Sequence, residues 1–313
     1  MDLYNLGYVS WWESQCYYHA LAHLGREGLI ICAPDSPYVC LGLHDDFSQE
    51  IDLTNCNAMN LPILRREVGG GVVYLDKRQI FYQLVLNQDN KSLPFRRDYY
   101  YPTFLKAPIE VYRKLGIPAE YKPPADLTAE GAKCSGNAAG DIGLGVAFVG
   151  NILLNFDYTV MAKLLKVPHP FFRQYLEESM RNNMTTLADW SNNIPTYEQV
   201  ADLLGHEYAQ VWGELKLKEP DQELKDTALK LRDKLTGAKW LAKPGRKTVK
   251  RKVKISEGLY LHEGRKKSKL FAALVRDDHI EEFYLLSNNS EIDEEIPAYK
   301  GRLWSEEFWE EIS

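Results

Sequence analysis

Residues 65–76 read Arg65-Arg66-Glu67-Val68-Gly69-Gly70-Gly71-Val72-Val73-Tyr74-Leu75-Asp76. Two arginines precede three glycines, and apolar, strand-like runs flank the whole. Three consecutive glycines weaken a strand unless the backbone needs unusual torsions or a ligand must approach it closely. Successive N–H groups in such a turn can form an anion-binding concavity. Paired arginines can add bidentate contacts to phosphate or carboxylate. The spacing is neither GxGxxG nor the P-loop pattern, since Gly71 is not followed by Lys-Ser/Thr. A bulged hairpin with solvent-facing arginines accounts for the same residues, so on this segment alone both readings stand.

A second segment, Gly131-Ala132-Lys133-Cys134-Ser135-Gly136-Asn137-Ala138-Ala139-Gly140, sets a lysine before a run of small residues. Small side chains let a ligand lie against the backbone. A lysine there can neutralise phosphate or carboxylate charge, including charge that develops during acyl or phosphoryl transfer. A flexible surface loop is the competing reading.

Around these segments the pattern is strands first, then helices. Polar residues near Ser14 lead into CYYHALAHLGREG, a helix ending at Gly25 or Gly28. GLIICAP and PYVCLG read as paired strands, LPILRREVGGGVVYLD as strand, glycine turn, strand, and QIFYQLVLN as another strand. PTFLKAPIEVYRKLG has helical spacing, KPPADLTAEGAKCSGNAAG reads as a hairpin or loop, and VAFVGNILLNF as two strands. DYTVMAKLLKVP, YEQVADLLGHEYAQVWGEL and DQELKDTALKLRDKL are helical. Neighbouring strands followed by helices make an α+β fold with a mixed, largely antiparallel sheet flanked by helices.

The last quarter differs in charge. Residues 241–269 hold 11 Lys+Arg against 2 Asp+Glu, net +9; residues 270–313 hold 3 against 12, net −9. AKPGRKT reads as a linker. The chain therefore divides into a large domain, 1–240, and a small α+β C-terminal domain, 241–313. In KTVKRKVKIS the apolar Val249, Val253 and Ile255 alternate with lysines, as in an edge strand whose outward lysines discourage aggregation. A basic patch for an acidic partner domain is the alternative.

Composition excludes several classes. The 313 residues are 45% hydrophobic and 26% charged, so they can bury a core without disulfides or a structural metal. The net charge of −6 argues against a general nucleic-acid binder. The N-terminus lacks the basic start and apolar stretch of a secretory signal, and EEFWEEIS is no lipidation motif. The charge-free run 142–156 is too short and glycine-rich to span a bilayer. A cytoplasmic protein with no membrane partner is expected. The five cysteines (Cys16, Cys32, Cys40, Cys56 and Cys134) form no CxxC pair, which fits a reduced compartment and disfavours zinc. Cys32 and Cys40 read as buried hydrophobes. His44, Asp45 and Asp46 read as a polar loop at a ligand mouth. His19 and His23 read as core-edge histidines, and Trp11 and Trp12 as core or cleft wall.

Taken together, RRxxGGGxVxxD and the downstream DL…GxKxSGxA resemble the lipoate–protein ligase A family, in the right order over roughly residues 10 to 170. The tail is more loosely similar to that family's small C-terminal domain. The resemblance implies a biotin-ligase/class II synthetase-like fold and two half-reactions. Lipoate and MgATP give lipoyl-AMP, and the lipoyl group then passes to a lysine of an acceptor protein. That acceptor would be a lipoyl domain, a glycine-cleavage H-like protein or a lipoate-binding protein. Carried over, Lys133 is the catalytic residue, touching the lipoyl carbonyl and the adenylate phosphate. Arg66, Gly69, Gly70 and Gly71 would hold the acyl and adenylate groups, with Val72, Tyr74, Asp76 and Gly150 also binding. Asp126 would help hold Mg²⁺ or the adenylate. Ser135, Gly136, Asn137 and Ala138 would line the nucleotide side.

The sequence departs from the family pattern. Leu75 stands where a His commonly precedes the Asp, and Val149-Gly150-Asn151-Ile152-Leu153 replaces H-G-T-L-L. Ala125 takes the place of an Asn, and Cys134 that of an Ile or Val. Two alternatives follow. One is an octanoyl- or lipoyl-transferase of the same fold, cysteine- or carrier-dependent. Such transferases place their cysteine downstream of the Lys motif, where this chain has none; Cys134 itself reads as a packing residue. The other is the non-catalytic half of a split ligase.

Overall fold

The computed structural model describes residues 1–96, 99–246, 251–266, 269–286, 292–305 and 308. The chain begins with β1 (Asp2–Val9), α1 (Glu13–His23), β2 (Gly28–Pro34), β3 (Tyr38–Leu41), α2 (Phe47–Glu50) and α3 (Leu53–Ala58). It continues through β4 (Ile63–Arg65), β5 (Val73–Leu75), β6 (Gln79–Asn87), α4 (Tyr100–Phe104) and α5 (Lys106–Lys114). Then come β7 (Glu120–Lys122), β8 (Asp126–Ala129), β9 (Ala132–Ser135), β10 (Asn137–Ile142) and β11 (Gly145–Leu153). Helices α6 (Tyr158–Leu164), α7 (Pro170–Asn183), α8 (Leu187–Trp190) and α9 (Tyr197–Trp212) precede the short β12 (Lys216–Leu217), α10 (Gln222–Thr236) and α11 (Ala238–Leu241). The C-terminal part holds β13 (Lys252–Ser256), β14 (Leu259–Lys266), β15 (Lys269–Arg276), β16 (His279–Leu286) and β17 (Ile292–Glu295).

The main sheet is six-stranded, in the order β10-β11-β6-β2-β1-β12. Strands β10, β11, β6 and β2 pair antiparallel, and β2, β1 and β12 parallel. The α+β reading with a mixed sheet holds. Helices cover both faces. One face packs under α1 and α10, around Tyr18, Leu21, Leu224 and Leu231. The other packs under α5 and α9, around Val111, Tyr112, Val200 and Leu204. Every residue of β2 and all but the last of β6 are therefore buried, which is why GLIICAP and QIFYQLVLN lack polar alternation. Among the described residues no helix is long and apolar enough to cross a membrane.

Three readings of local sequence are corrected. GLIICAP and PYVCLG do not pair: β2 lies in the main sheet, whereas β3 is the centre of a three-stranded sheet, β4-β3-β5. VAFVGNILLNF lies mostly within one strand, because Gly150 continues β11 instead of breaking it. LPILRREVGGGVVYLD is not a hairpin, bulged or otherwise. Strand β4 joins β3 in parallel and β5 joins it antiparallel, so the Arg66–Val72 connection crosses the end of β3. Strand β1, mostly half-buried and without a regular alternation, has no counterpart in the reading of the opening residues.

Strands β13 to β17 form a separate antiparallel meander, so among the described residues the C-terminal unit is mainly strand, with one 3₁₀ turn at Pro297–Tyr299. One face, including Val253, Ile255 and Leu274, joins the cluster that also holds α6 and α7 residues. The other face is covered by Phe308, Trp304 and Tyr299. Strand β13 is indeed an edge strand; Val249 lies outside the described residues. The cation just before β13 is not solvated, however. Arg251 is buried and donates to Glu50 and to the Lys166 carbonyl. The described part of AKPGRKT is anchored to the large unit, because Arg65 donates to the carbonyls of Leu241 and Lys243.

Candidate functional site

The glycine segment is held from three sides. His19 is fully buried, which lowers its pKa to about 4 and leaves its ring neutral. It accepts the Glu67 N–H through Nε2, while Nδ1 bonds the Gln15 carbonyl. Arg66, 6% exposed, folds back over its own loop: it donates to the carbonyls of Gly69 and Gly71 and to that of Cys40. Arg65 does not face solvent or a ligand. It is wholly buried and donates to the carbonyls of Leu43 and Asp45 as well as to Leu241 and Lys243. Of the three glycines, only Gly70 has a left-handed backbone, φ +90°. A Cβ there would stand 2.8 Å from the Arg66 guanidinium, whereas one on Gly69 or Gly71 would meet nothing within 4 Å. Gly70→Ala should cost about 1–3 kcal/mol. Gly69→Ala should cost much less. Urea midpoints that fall equally for the two variants would refute this account.

The β8–β9 hairpin turns at Glu130 and Gly131, both with positive φ, and sets Asp126 and Lys133 on adjacent strands. Lys133 Nζ lies 2.8 Å from Asp126 Oδ1. Asp126 is 2% exposed, and its other oxygen accepts the Glu257 N–H at 2.8 Å. Ser135 is buried and donates to the Asn151 carbonyl at 2.7 Å. Asn137 accepts from Tyr82 OH through Oδ1, but its buried Nδ2 has no partner among the described residues. Gly150 is required by packing: a Cβ would fall 2.2 Å from Asn137 Oδ1 and 2.5 Å from the Tyr82 ring.

These pieces meet around one cavity of about 230 Å³, just under the roughly 300–1,000 Å³ usual for small-molecule sites. Arg66, Gly70, Gly71, Val72 and Tyr74 reach its wall from the glycine segment. Asp126, Lys133, Gly136, Asn137 and Ala138 reach it from the hairpin and β10, and Gly150 from β11. Three expected site residues do not line it. Gly69 turns its carbonyl to Arg66, Asp76 is tied up by Arg78, and Ser135 is spent on Asn151. His44, Asp45 and Asp46 are also off the wall. Asp45 accepts the Gly42 N–H, and Asp46 caps α2. Among the described residues no group of three His, Cys, Asp or Glu is placed to hold a metal.

Sequence reasoning missed several wall residues. Gln15, Gln79, Gln83 and Asn151 supply polar groups, and Met161, Met180 and Met184 an adaptable apolar wall. The signal for two of them was present: in QIFYQLVLN the glutamines are four apart, hence on one face of an otherwise apolar strand. Lys254 and Glu257 come from the C-terminal sheet and pair with each other. Cys134 is fully buried away from the wall, and burial pushes its thiol up to about 12. The other four cysteines are buried too, but Cys40 lines the cavity.

Residues 10–209 match the family model described as the lipoyl protein ligase A/B catalytic domain. Lipoate–protein ligase 1 of Staphylococcus aureus is 23% identical over 194 residues, 62% of this chain and 57% of that protein. Octanoyltransferase LipM of Kyrpidia tusciae is 23% identical over 229 residues, 66% of this chain and 83% of that protein. The match to the probable lipoate–protein ligase A of Mycoplasma pneumoniae covers 45% of it, so the chain spans about half the length of some curated relatives. Among solved structures, a bi-partite lipoate protein ligase from Thermoplasma acidophilum, described with its E2 lipoyl domain, superposes with a TM-score of 0.68 at 21% identity, over 79% of this chain and 98% of that one. A lipoate-protein ligase A bound with ATP gives 0.63 at 19% identity, over 77% and 98%. At these identities the superpositions establish the fold. The family model, spanning more than half of the sequence, establishes that this chain belongs to the lipoyl protein ligase A/B catalytic domain family.

Proposed function

We propose that the protein is an ATP-dependent lipoate–protein ligase. The observation that carries this reading is the Lys133–Asp126 pair beside the glycine segment, on the wall of a largely apolar cavity. In the first half-reaction a carboxylate oxygen of lipoate attacks the α-phosphorus of ATP, and pyrophosphate leaves. In the second, the amine of an acceptor lysine attacks the acyl carbon, AMP leaves, and the amine gives up a proton. Lys133 stabilises the negative charge that builds on the phosphate and the acyl oxygen. The unpartnered Asn137 Nδ2 is a ready donor for an oxygen of the same group. Gly71, on the cavity wall and with nothing within 4 Å of a Cβ position, lets an acyl-adenylate lie against the backbone. The site needs no covalent enzyme intermediate, since the mixed anhydride is already activated and orientation does the rest.

Magnesium typically uses one or two carboxylates together with substrate phosphates. Asp126 and the neighbouring Glu257 are the carboxylates on this wall, and a carboxylate oxygen that accepts one bond keeps a further lone pair. Bound there, the ion would neutralise phosphate charge. In this reading residues 1–240 are the catalytic domain. Residues 241–313 are an accessory domain whose Lys254 and Glu257 close one side of the cavity. The acceptor is a lipoyl-bearing protein domain, and the site lies in the cytoplasm.

A transferase would need a reactive thiol. Cys134 is buried off the wall, and Cys40, which lines it, is fully buried as well; burial raises the pKa of both thiols, which favours the ligase. Cys134→Ala should keep lipoate-dependent ATP–pyrophosphate exchange while losing about 1–2 kcal/mol of stability. Loss of all turnover in the folded variant would favour the transferase. The direct test is the intact mass of apo-lipoyl domains after incubation with this protein, lipoate and MgATP. A lipoyl mass increment without a second polypeptide is expected; none with any acceptor would overturn the proposal and favour half of a split ligase.

A further inference from the structure

The cavity floor follows the main sheet. Gln79, Phe81 and Gln83 lie along one face of β6, opposite Leu153, Asn151 and Val149 on β11. At the Asn151 level, Asn151 Oδ1 accepts the Gly136 N–H and so ties the floor to the Lys133 hairpin. Gln83 lies two residues further along β6, roughly 7 Å beyond Phe81 at strand spacing. There the cavity meets α1: Gln83 Nε2 donates to the Ser14 carbonyl at 2.6 Å.

Gln83 is 1% exposed, and its Oε1 has no hydrogen-bond partner among the described residues. Its amide cannot be turned round, because the Ser14 carbonyl can only accept and so demands the NH₂ end. The neighbouring polar groups are already matched to one another. Gln15 donates to Tyr38 OH and accepts from Tyr18 OH and the Cys40 thiol. A buried acceptor on a residue that lines the cavity, left without a donor by the protein, favours a bound group that brings one.

We propose that Gln83 determines specificity at the far end of the acyl chain. It accepts a hydrogen bond from a thiol or hydroxyl, so the pocket favours a chain with a terminal donor, such as the opened dithiol of dihydrolipoate, over plain octanoate. This rests on the ligase reading, which sets the carboxyl end at Lys133. An unsubstituted chain, or the closed dithiolane, leaves Oε1 unpaired.

The test is calorimetric titration of the full chain, under anaerobic conditions, with octanoate, 8-hydroxyoctanoate, lipoate and dihydrolipoate. The wild type should bind 8-hydroxyoctanoate and dihydrolipoate about tenfold more tightly than octanoate. Gln83→Met, checked for a native unfolding midpoint, should bring octanoate, 8-hydroxyoctanoate and dihydrolipoate to equal affinities. Equal affinities for octanoate and 8-hydroxyoctanoate in the wild type overturn the proposal without recourse to the variant. So does a preference that survives Gln83→Met, or an absence of binding by all four acids. ATP–pyrophosphate exchange with the same acids separates the two ideas: the donor preference with no exchange sinks the ligase reading alone, and exchange without the preference sinks this one alone.

Discussion

Lys133→Ala should lower lipoate-dependent ATP–pyrophosphate exchange by at least about 10²–10³-fold, the usual loss when a preorganised charge-stabilising donor is removed. The ammonium is the cation paired with Asp126 at the cavity wall, and without it developing phosphate charge would meet Asp126 unopposed. The same contact complicates the variant. Asp126 is almost wholly buried, so deleting its partner leaves a carboxylate supported chiefly by the Glu257 N–H. Lys133→Ala should therefore also cost about 1–3 kcal/mol, the penalty for a stranded buried polar group. Lys133→Gln separates the two effects: it can still donate to Asp126 but carries no charge. It should unfold close to the wild type and still lose exchange. Normal exchange in folded Lys133→Gln would refute the catalytic assignment.

The second large effect is on folding. Arg65→Met should destabilise the protein by about 3–5 kcal/mol, the range for breaking a buried charged network. Arg65 is fully buried, and its guanidinium donates to carbonyls of the 42–45 loop on one side and of residues 241 and 243 on the other. Methionine fills similar volume but offers no donors, so those carbonyls lose their partners. The Trp240 indole N–H, which donates to the Arg65 carbonyl, would keep only part of this junction closed. The urea midpoint should fall, and amide exchange should quicken first around residues 241–246. An unchanged midpoint would show that water or neighbouring donors replace the guanidinium, and that Arg65 is not the tie between the two parts of the chain.

The contrast between the two arginines of one motif shows where sequence reasoning stops. On the segment alone Arg65 and Arg66 are equivalent candidates for an anion contact, because composition records charge but not direction, and only the family resemblance singles out Arg66. In a strand, successive side chains leave on opposite sides. The last residue of β4 therefore sends one arginine into the 42–45 and 241–243 junction, and the next curls over the glycine loop at the cavity. Lys133 and Asp126, by contrast, were both named through the family resemblance, but their pairing comes from the structure: a hairpin with Glu130 and Gly131 at its turn brings them together.

The sequence by itself determined the α+β class, the helices α1, α5, α6, α9 and α10 but not the long α7, and the family. These rest on local torsional preference, on periodicity and on two ordered motifs within short stretches of chain. Only the tertiary structure decided that β2 and β3 belong to different sheets, and that the glycine segment crosses the end of β3 instead of closing a hairpin. It alone brought Gln83 to the α1 end of the cavity and Lys254 and Glu257 to its side. Those facts depend on pairing register and on packing between residues far apart in sequence, and a one-residue change in register would send the same side chains to the opposite face.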